Sequence, residues 1–290
     1  MMLARLKKIY RFFIKAKPTK VVQIDSFTLT APRQHQIEHL TKKHKYYSRN
    51  LPRIAKYIEE KYPSYNIIDV GANIGDSIAL FRLADVHQKV YAFEGEDSFY
   101  DLLTQNLPIF KNVEAFKVFL GEETHVEHLA VESQLGTGKL SMGEGRAIQV
   151  QKLDDFLKEH PISDIKLLKT DTDGFDFKIL RGSRELLARD KPVLFFEYDA
   201  DYLEALGDDG ISFFSELEKL GYSKAFFYDN FGKFLISVAV TQTEIIKQLH
   251  AYMRKKEGSF YYYDVCVFHQ EDEALSEEVV RKEVRFFHVS

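Results

Sequence analysis

Asn66 to Phe81 reads NIIDVGANIGDSIALF. Ile67-Ile68-Asp69-Val70 has the length and β-branched content of a buried strand, and the pattern after Gly75 is that of a helix. Between them Gly71-Ala72-Asn73-Ile74-Gly75 turns the chain. Glycine at both ends allows a sharp turn and a close approach of backbone to a ligand, because no Cβ intrudes. Amides at the helix start then face that ligand, and the positive end of the helix dipole favours an anionic group. In an open parallel sheet, ligands bind in this place, beyond the carboxyl ends of the strands.

Working outward, short apolar runs recur: KVYAFEG, VEAFKVFLG, IKLLKTD and PVLFFEYD. Each is rich in β-branched or aromatic residues and closes near a glycine or an acid, as buried parallel strands do. DSIALFRLADV, DSFYDLLTQNL and GFDFKILRGSRELLARD between them have helical patterns. The alternation predicts an α/β fold with a mostly parallel, doubly wound, Rossmann-like sheet. Between Leu120 and Pro161, HLAVES and RAIQVQKLD read as two strands of a hairpin-like excursion around the Gly-rich LGTGKLSMGEG, near the mouth of the site. KAFFYDNFGKFLISVAV reads as strand, turn, strand. A helix from Thr243 to Lys256 and a last strand in SFYYYDVCVFHQ follow. The expected organisation is a basic N-terminal helical and extended segment (1–50), one main domain (51–270) and an acidic tail forming a surface helix (271–290).

The chain has 290 residues, 45% of them hydrophobic, and one cysteine, Cys266, which reads as a buried core thiol. A single cysteine forms no intrachain disulfide and fits a reducing, cytoplasmic setting. No secretory signal is seen, and nowhere do about 18 apolar residues run together as a membrane span requires. Charge is uneven: the first 57 residues hold 14 Lys and Arg against 2 acids, although the whole chain carries a net charge of −4. Leu3, Leu6, Tyr10 and Phe13 add an apolar face among these basic residues. This head suits peripheral contact with an anionic membrane surface, or else a solvated arm.

The turn after Val70 is G-x-x-x-G, with Asn73 where a dinucleotide fingerprint has its middle glycine. That suits a ligand without a pyrophosphate, such as S-adenosylmethionine, with its carboxylate near the helix start and its ammonium near Asp69 or a turn carbonyl. Glu94 closes the second strand 23 residues past Gly71, and an acid there accepts both ribose hydroxyls of an adenosine ligand. In LLKTDTDGFDFKILRG, Asp171, Asp173 and Asp176 crowd a strand-to-helix junction around Gly174. Repulsion between them demands compensation. Asp173 or Asp176 can serve as helix cap, but Asp171 closes the strand and points into the crevice. A nicotinamide oxidoreductase accounts for Gly71 and Glu94 but not for Asn73 or this cluster. A nucleic-acid-binding protein accounts for the basic head but not for an acidic site.

VGANIG, FEGED, LKTDTDGFD with KILRG, and PVLFFEYD, in that order, resemble the FkbM-type S-adenosylmethionine-dependent methyltransferases. The similarity runs from about Asn66 to Tyr198. The resemblance implies a class I methyltransferase sheet of seven strands, the last antiparallel, and O-methylation of a sugar, glycan or related small molecule. It implies that Asp69, Gly71, Asn73 and Gly75 lie at the methionine end of the cofactor, Glu94 at the ribose, and Phe119 and Leu120 against adenine. Gly95 stands where the family usually has proline. Asp173 and Asp176 stand where it usually has glutamate, each shorter by one methylene.

Methyl transfer to a hydroxyl requires the acceptor oxygen on the methyl axis and a base for its proton. Asp171, Glu197 and Asp173 are the candidates, at strand ends that face the ligand. The acids at adjacent strand ends also suit Mg²⁺, while Lys169 offers neutralisation without an ion. The histidines are scattered, with His125 and His128 reading as surface residues, and the run Phe260 to Tyr263 reads as sheet packing.

Overall fold

The computed structural model describes residues 19–134, 137–142, 146–254 and 260–289. The basic helix expected from Leu3 lies outside them; Thr19 and Lys20, at its end, already belong to a strand. In chain order the strands are β1 (Thr19–Ile24), β2 (Phe27–Pro32), β3 (Asn66–Val70), β4 (Lys89–Phe93), β5 (Val113–Phe116), β6 (Phe119–Gly121), β7 (His125–Gln134), β8 (Thr137–Met142), β9 (Arg146–Lys152), β10 (Ile165–Thr170), β11 (Val193–Tyr198), β12 (Tyr222–Asp229), β13 (Phe234–Ala239) and β14 (Tyr263–His269).

The main sheet has the order β13-β12-β14-β11-β10-β3-β4-β5. β5, β4, β3, β10 and β11 run parallel, and β14 is antiparallel to both β11 and β12. Eight strands are therefore found where the resemblance implies seven. The eighth is β13, which the DNFGK turn folds back on β12 as an antiparallel edge. The chain lays β3, β4 and β5 in one direction, then returns to add β10 on the other side of β3. This reversal opens the crevice in which doubly wound sheets bind ligands.

Both faces of the sheet are covered, which explains the nearly unbroken apolar runs. Ile67, Leu167 and Phe195 pack with Cys266 and Phe268 on one face, and Ile68, Leu168 and Phe196 on the other. The excursion after Leu120 is a second sheet, β6-β9-β7-β8. It is larger than the expected hairpin, because the Gly-rich stretch itself supplies β8 and FLG supplies β6. The single helix expected over GFDFKILRGSRELLARD is two, Asp176–Arg181 and Arg184–Asp190. They break at Gly182, where a Cβ would lie 2.1 Å from the Gly121 carbonyl oxygen. The second sheet is thus seated directly on backbone.

The expected boundary at residue 50 is not a boundary. Val22, Ile24, Leu29 and Ile37 share one hydrophobic cluster with Ile67 and Ile78. Asn106 clamps β2 from the neighbouring helix, exchanging hydrogen bonds of 2.9 Å each with the Thr30 amide and carbonyl. The C-terminal segment is likewise part of the body. Its helix Glu273–Val289 inserts Glu283 against Arg53 of the helix Asn50–Lys61, in a bidentate pair of 2.9 and 2.8 Å that Tyr57 also joins. Glu283 is fully buried, so this pair is a structural clamp rather than a surface ion pair.

Candidate active site

A cavity of about 510 Å³ lies across the carboxyl ends of β3, β4, β10 and β11 and the start of β14. Because β14 runs the other way, its first residues come to the edge where the parallel strands end.

On the β3 side the wall is the turn Gly71–Gly75. Gly71 and Ala72 donate to the carbonyl of Phe93, at 2.9 and 3.1 Å, so the turn is fastened to the end of β4. Gly71, Asn73 and Gly75 all have positive φ, at 73°, 49° and 88°. Asparagine tolerates that region better than most residues, which accounts for Asn73 in the place of a glycine. Gly71 lines the cavity, yet its missing Cβ serves the fold: a Cβ there would stand 2.0 Å from the carbonyl oxygen of Asp171. Gly75 is outside the cavity lining, and its Cβ would meet Leu103 and Phe110 at 3.2 and 3.3 Å. The second glycine is therefore a packing and turn residue, not the close approach to a ligand expected of it.

Asp69 also departs from expectation. It is fully buried, outside the cavity lining, and its carboxylate lies 2.8 Å from the Lys169 ammonium. Lys169 donates in turn to the carbonyls of Gly71, at 2.9 Å, and Val70, at 3.3 Å. Burial works against this ammonium, but Asp69 and Asp171 outweigh it and hold its pKa above the ordinary lysine range. Asp69 and Lys169 thus brace the turn from behind. The acid that lines the cavity near the turn is Asp76.

Glu94 follows β4 and lines the cavity. Its two carboxylate oxygens each accept one backbone amide, from Asn73 and from Glu96, both at 2.9 Å. Each oxygen keeps lone pairs for a further donor. Burial pushes its pKa up to about 7, against the pull of those two amides. Phe119 and Leu120 line the same side from β6. The Phe119 ring occupies the space beside Gly95, where a Cβ would come within 2.5 Å of it. A Cβ at Gly95 would clash with that ring, so the departure from the family pattern at Gly95 makes room for Phe119.

On the far side the structure brings together Asp171, Asp173 and Glu197. Asp171 has a side chain 58% exposed and sits 3.9 Å from the Lys169 ammonium. Asp173 has φ 51° and precedes Gly174 at φ 100°, in a tight turn between β10 and the next helix. Asp176 is buried outside the cavity in the first helical turn, where it accepts from the Thr172 hydroxyl at 3.2 Å. Burial and the nearby Asp171 raise its pKa to about 6. Burial, with Asp171, Asp173, Asp176 and Asp199 around it, pushes Glu197 well above the usual carboxylate range.

Sequence reasoning misses two further walls. One is the segment from His35 to Leu51, including Tyr47 and Asn50. The other is Tyr261, Tyr262 and Asp264, so that the aromatic run is only partly sheet packing: Tyr263 is core, and its neighbours face the cavity. Asp264 is opposite Glu197 in the β11–β14 register and accepts from the Asn50 side chain at 2.7 Å. Its pKa is raised to about 7 by burial. An acid opening an apolar final strand was the signal for it. Among the described residues no three His, Cys, Asp or Glu side chains converge as metal ligands would.

A doubly wound sheet with an antiparallel β14, a glycine turn after β3 and an acid closing β4 defines a Rossmann-like class I methyltransferase. The chain matches the methyltransferase FkbM domain over residues 69–224, more than half of its length, and it belongs to that family. It is a methyltransferase whose methyl donor is S-adenosylmethionine. The amide-anchored Glu94 and the cavity beside Gly71 fit that donor.

No curated protein matches the chain. Among solved structures it is similar to the methyltransferase FkbM from Methylobacillus flagellatus KT, with 21% identity over 56% of this chain and a TM-score of 0.40. The match spans 40% of that protein's length. It is also similar to TYW2 from M. jannaschii in complex with AdoMet (12% identity, 89% of each chain, TM-score 0.43). A third is a TehB-like SAM-dependent methyltransferase from Corynebacterium glutamicum (12% identity, 75% of this chain and 87% of the other, TM-score 0.37). Among the described residues, no helix is long and apolar enough to cross a membrane.

Proposed function

We propose that the chain methylates a hydroxyl of a sugar or related glycan acceptor. The observation that carries this reading is one continuous cavity that joins the Gly71 turn and Glu94 to a separate group of carboxylates, Asp171, Asp173 and Glu197. Bound S-adenosylmethionine supplies a methyl group activated on a sulfonium. In this reading Glu94 accepts from the ribose hydroxyls, Phe119 and Leu120 cover the adenine, and Gly71 and Asn73 face the methionine end. Asp69 and Gly75 act from behind, by holding the turn.

Asp171 follows β10 directly beside Gly71, 3.9 Å from the Lys169 ammonium. It is the group suited to take the acceptor's proton as the oxygen attacks, and its exposure lets that proton pass to water. Glu197 and Asp173 hold the acceptor on the methyl axis. The test is formation of S-adenosylhomocysteine from S-adenosylmethionine with a panel of sugars, together with mass spectrometry of glycans from cells with and without the gene. Turnover with sugars that Asp171→Asn abolishes, at an unchanged melting temperature, supports the reading. Methylation confined to non-sugar acceptors sinks it. The basic residues from Arg5 to Lys20 further suit docking on the anionic cytoplasmic face of a membrane, each contributing on the order of 1 kcal/mol. Equal recovery of the full chain and of a chain starting at Val21 in the supernatant over anionic liposomes would exclude it.

A further inference from the structure

S-adenosylmethionine ends in an amino acid, whose ammonium calls for an acid and whose carboxylate calls for hydrogen-bond donors. The sequence points to Asp69 for the ammonium. That carboxylate is fully buried behind the turn and pairs with Lys169 at 2.8 Å, so the methionine end needs another acid.

Asp76 stands in the right place. It opens the helix Asp76–Leu83 just past Asn73 and lines the cavity. Lys169 pairs with Asp69 and lies 3.9 Å from Asp171, while Asp76 has no ion pair among the described residues. An acid in the first turn of a helix also complements the helix dipole, so this carboxylate alone indicates nothing.

His35 is the independent observation. It lies between β2 and the helix Ile37–Lys43, is 7% exposed, and lines the same cavity. Its main chain is fixed on both sides. The amide donates to the Pro32 carbonyl at 3.0 Å, and the carbonyl accepts from Lys20 at 2.6 Å. The ring is oriented as well, since its Nδ1 accepts from the Ile37 amide at 3.3 Å. Burial keeps the pKa of this imidazole below the ordinary histidine value, so the ring is uncharged near neutral pH. With Nδ1 accepting, its proton sits on Nε2. The ring faces the Asn73 side chain and the Asp76 carboxylate.

An acid and an uncharged N–H donor therefore meet beside the Gly71–Gly75 turn. The first amides of the helix Asp76–Leu83, which have no partner within the helix, lie next to them. A zwitterion matches this set, with one negative charge for its ammonium and donors for its carboxylate. His35 precedes residues 69–224 that match the family, so this part of the wall belongs to the chain rather than to the family pattern.

We propose that Asp76 receives the ammonium of the methionine end and that the His35 Nε2–H donates to its carboxylate, so that the segment before residue 50 completes the donor pocket. The inference rests on the donor placement given above and is independent of the acceptor.

The test is calorimetric titration of the full chain with S-adenosylhomocysteine, with its analogue lacking the α-amino group, and with 5′-methylthioadenosine, which lacks the whole amino-acid end. Asp76→Asn and His35→Asn are the variants. The second keeps an acceptor for the Ile37 amide, as asparagine bonds the backbone two residues on, but loses the Nε2 donor. Each is expected to weaken S-adenosylhomocysteine at least about tenfold and 5′-methylthioadenosine by less than about threefold. Retained binding of the shorter ligand also shows that the variant is folded. Loss of the α-amino group should cost the wild-type chain at least about tenfold in affinity and Asp76→Asn almost nothing.

Unchanged S-adenosylhomocysteine affinity in either variant overturns the proposal, as does equal loss of both ligands. So does an Asp76→Asn chain that discriminates against the analogue as strongly as the wild type. Glu94→Gln separates this inference from the donor placement, because a ribose contact serves both ligands. If that variant weakens neither ligand, the placement fails and the inference with it. If it weakens both while the Asp76 and His35 variants spare S-adenosylhomocysteine, the inference alone fails.

Discussion

At the ends of β3 and β4 the cavity wall is largely main chain. The Gly71 turn donates to Phe93, receives Lys169 on its carbonyls, and presents the Asn73 amide to Glu94. At the ends of β11 and β14 the wall is made of side chains, and Asn50 reaches Asp264 across 214 positions of sequence. The first wall has little freedom to vary, since each replacement must keep a backbone path. The second varies freely, because a side chain changes without moving a strand.

The largest effect that tests the division is expected from Gly71→Ala. With a positive φ and a carbonyl oxygen 2.0 Å from the new Cβ, the turn must move. Cofactor affinity should fall by at least about a hundredfold in titration. Normal binding would show that the main-chain wall is more plastic than its contacts imply. Arg53→Ala comes next. It leaves the buried Glu283 uncompensated at a cost of about 3–5 kcal/mol, a fall in melting temperature on the order of 10 °C. The same variant should change cofactor affinity by less than about threefold, since distant sites are nearly independent. A large loss of cofactor binding would erase the distinction between the two walls.

Glu94→Gln should weaken the cofactor by roughly 1.5–3 kcal/mol, about ten- to a hundredfold in affinity. The pH dependence carries a definite sign. The folded Glu94 carboxyl, pushed up to about 7, holds a proton that the unfolded chain releases from about pH 4.5, so this group lowers stability as pH rises between those values. Ribose hydroxyls need the ionised form, so cofactor affinity should rise with pH through about 7 and stay flat in the Gln variant. The smallest effect is expected from Gly75→Ala. Its contacts are side chains at 3.2 and 3.3 Å, and strain at φ 88° should cost about 1–2 kcal/mol of stability, with cofactor titration unaltered.

The first wall was readable from sequence because its signals are local. A strand, two glycines and an acid at a fixed spacing lie within 30 residues. What the glycines touch was not readable, since Asp171, Leu103 and Phe110 come from other elements. Asp69 misled because an acid at a strand end faces either the crevice or a neighbouring strand, and only the β3–β10 register, which pairs Asp69 with Lys169, decides. The second wall was out of reach for the same reason on a larger scale. Asn50 and Asp264 share no local pattern, and their meeting depends on an antiparallel strand inserted between β11 and β12. The break at Gly182 follows from its contact with the Gly121 backbone of the second sheet, which no periodicity records.

The clamp between Arg53 and Glu283 spans 230 positions. On the ribosome, Arg53 therefore emerges long before its counterpart, at about 5–20 residues per second. The helix that carries Asn50 must wait some tens of seconds before Glu283 arrives to hold it. A nascent chain can thus assemble the donor pocket while the acceptor end still stands open, and the two become a working pair only when the last helix docks.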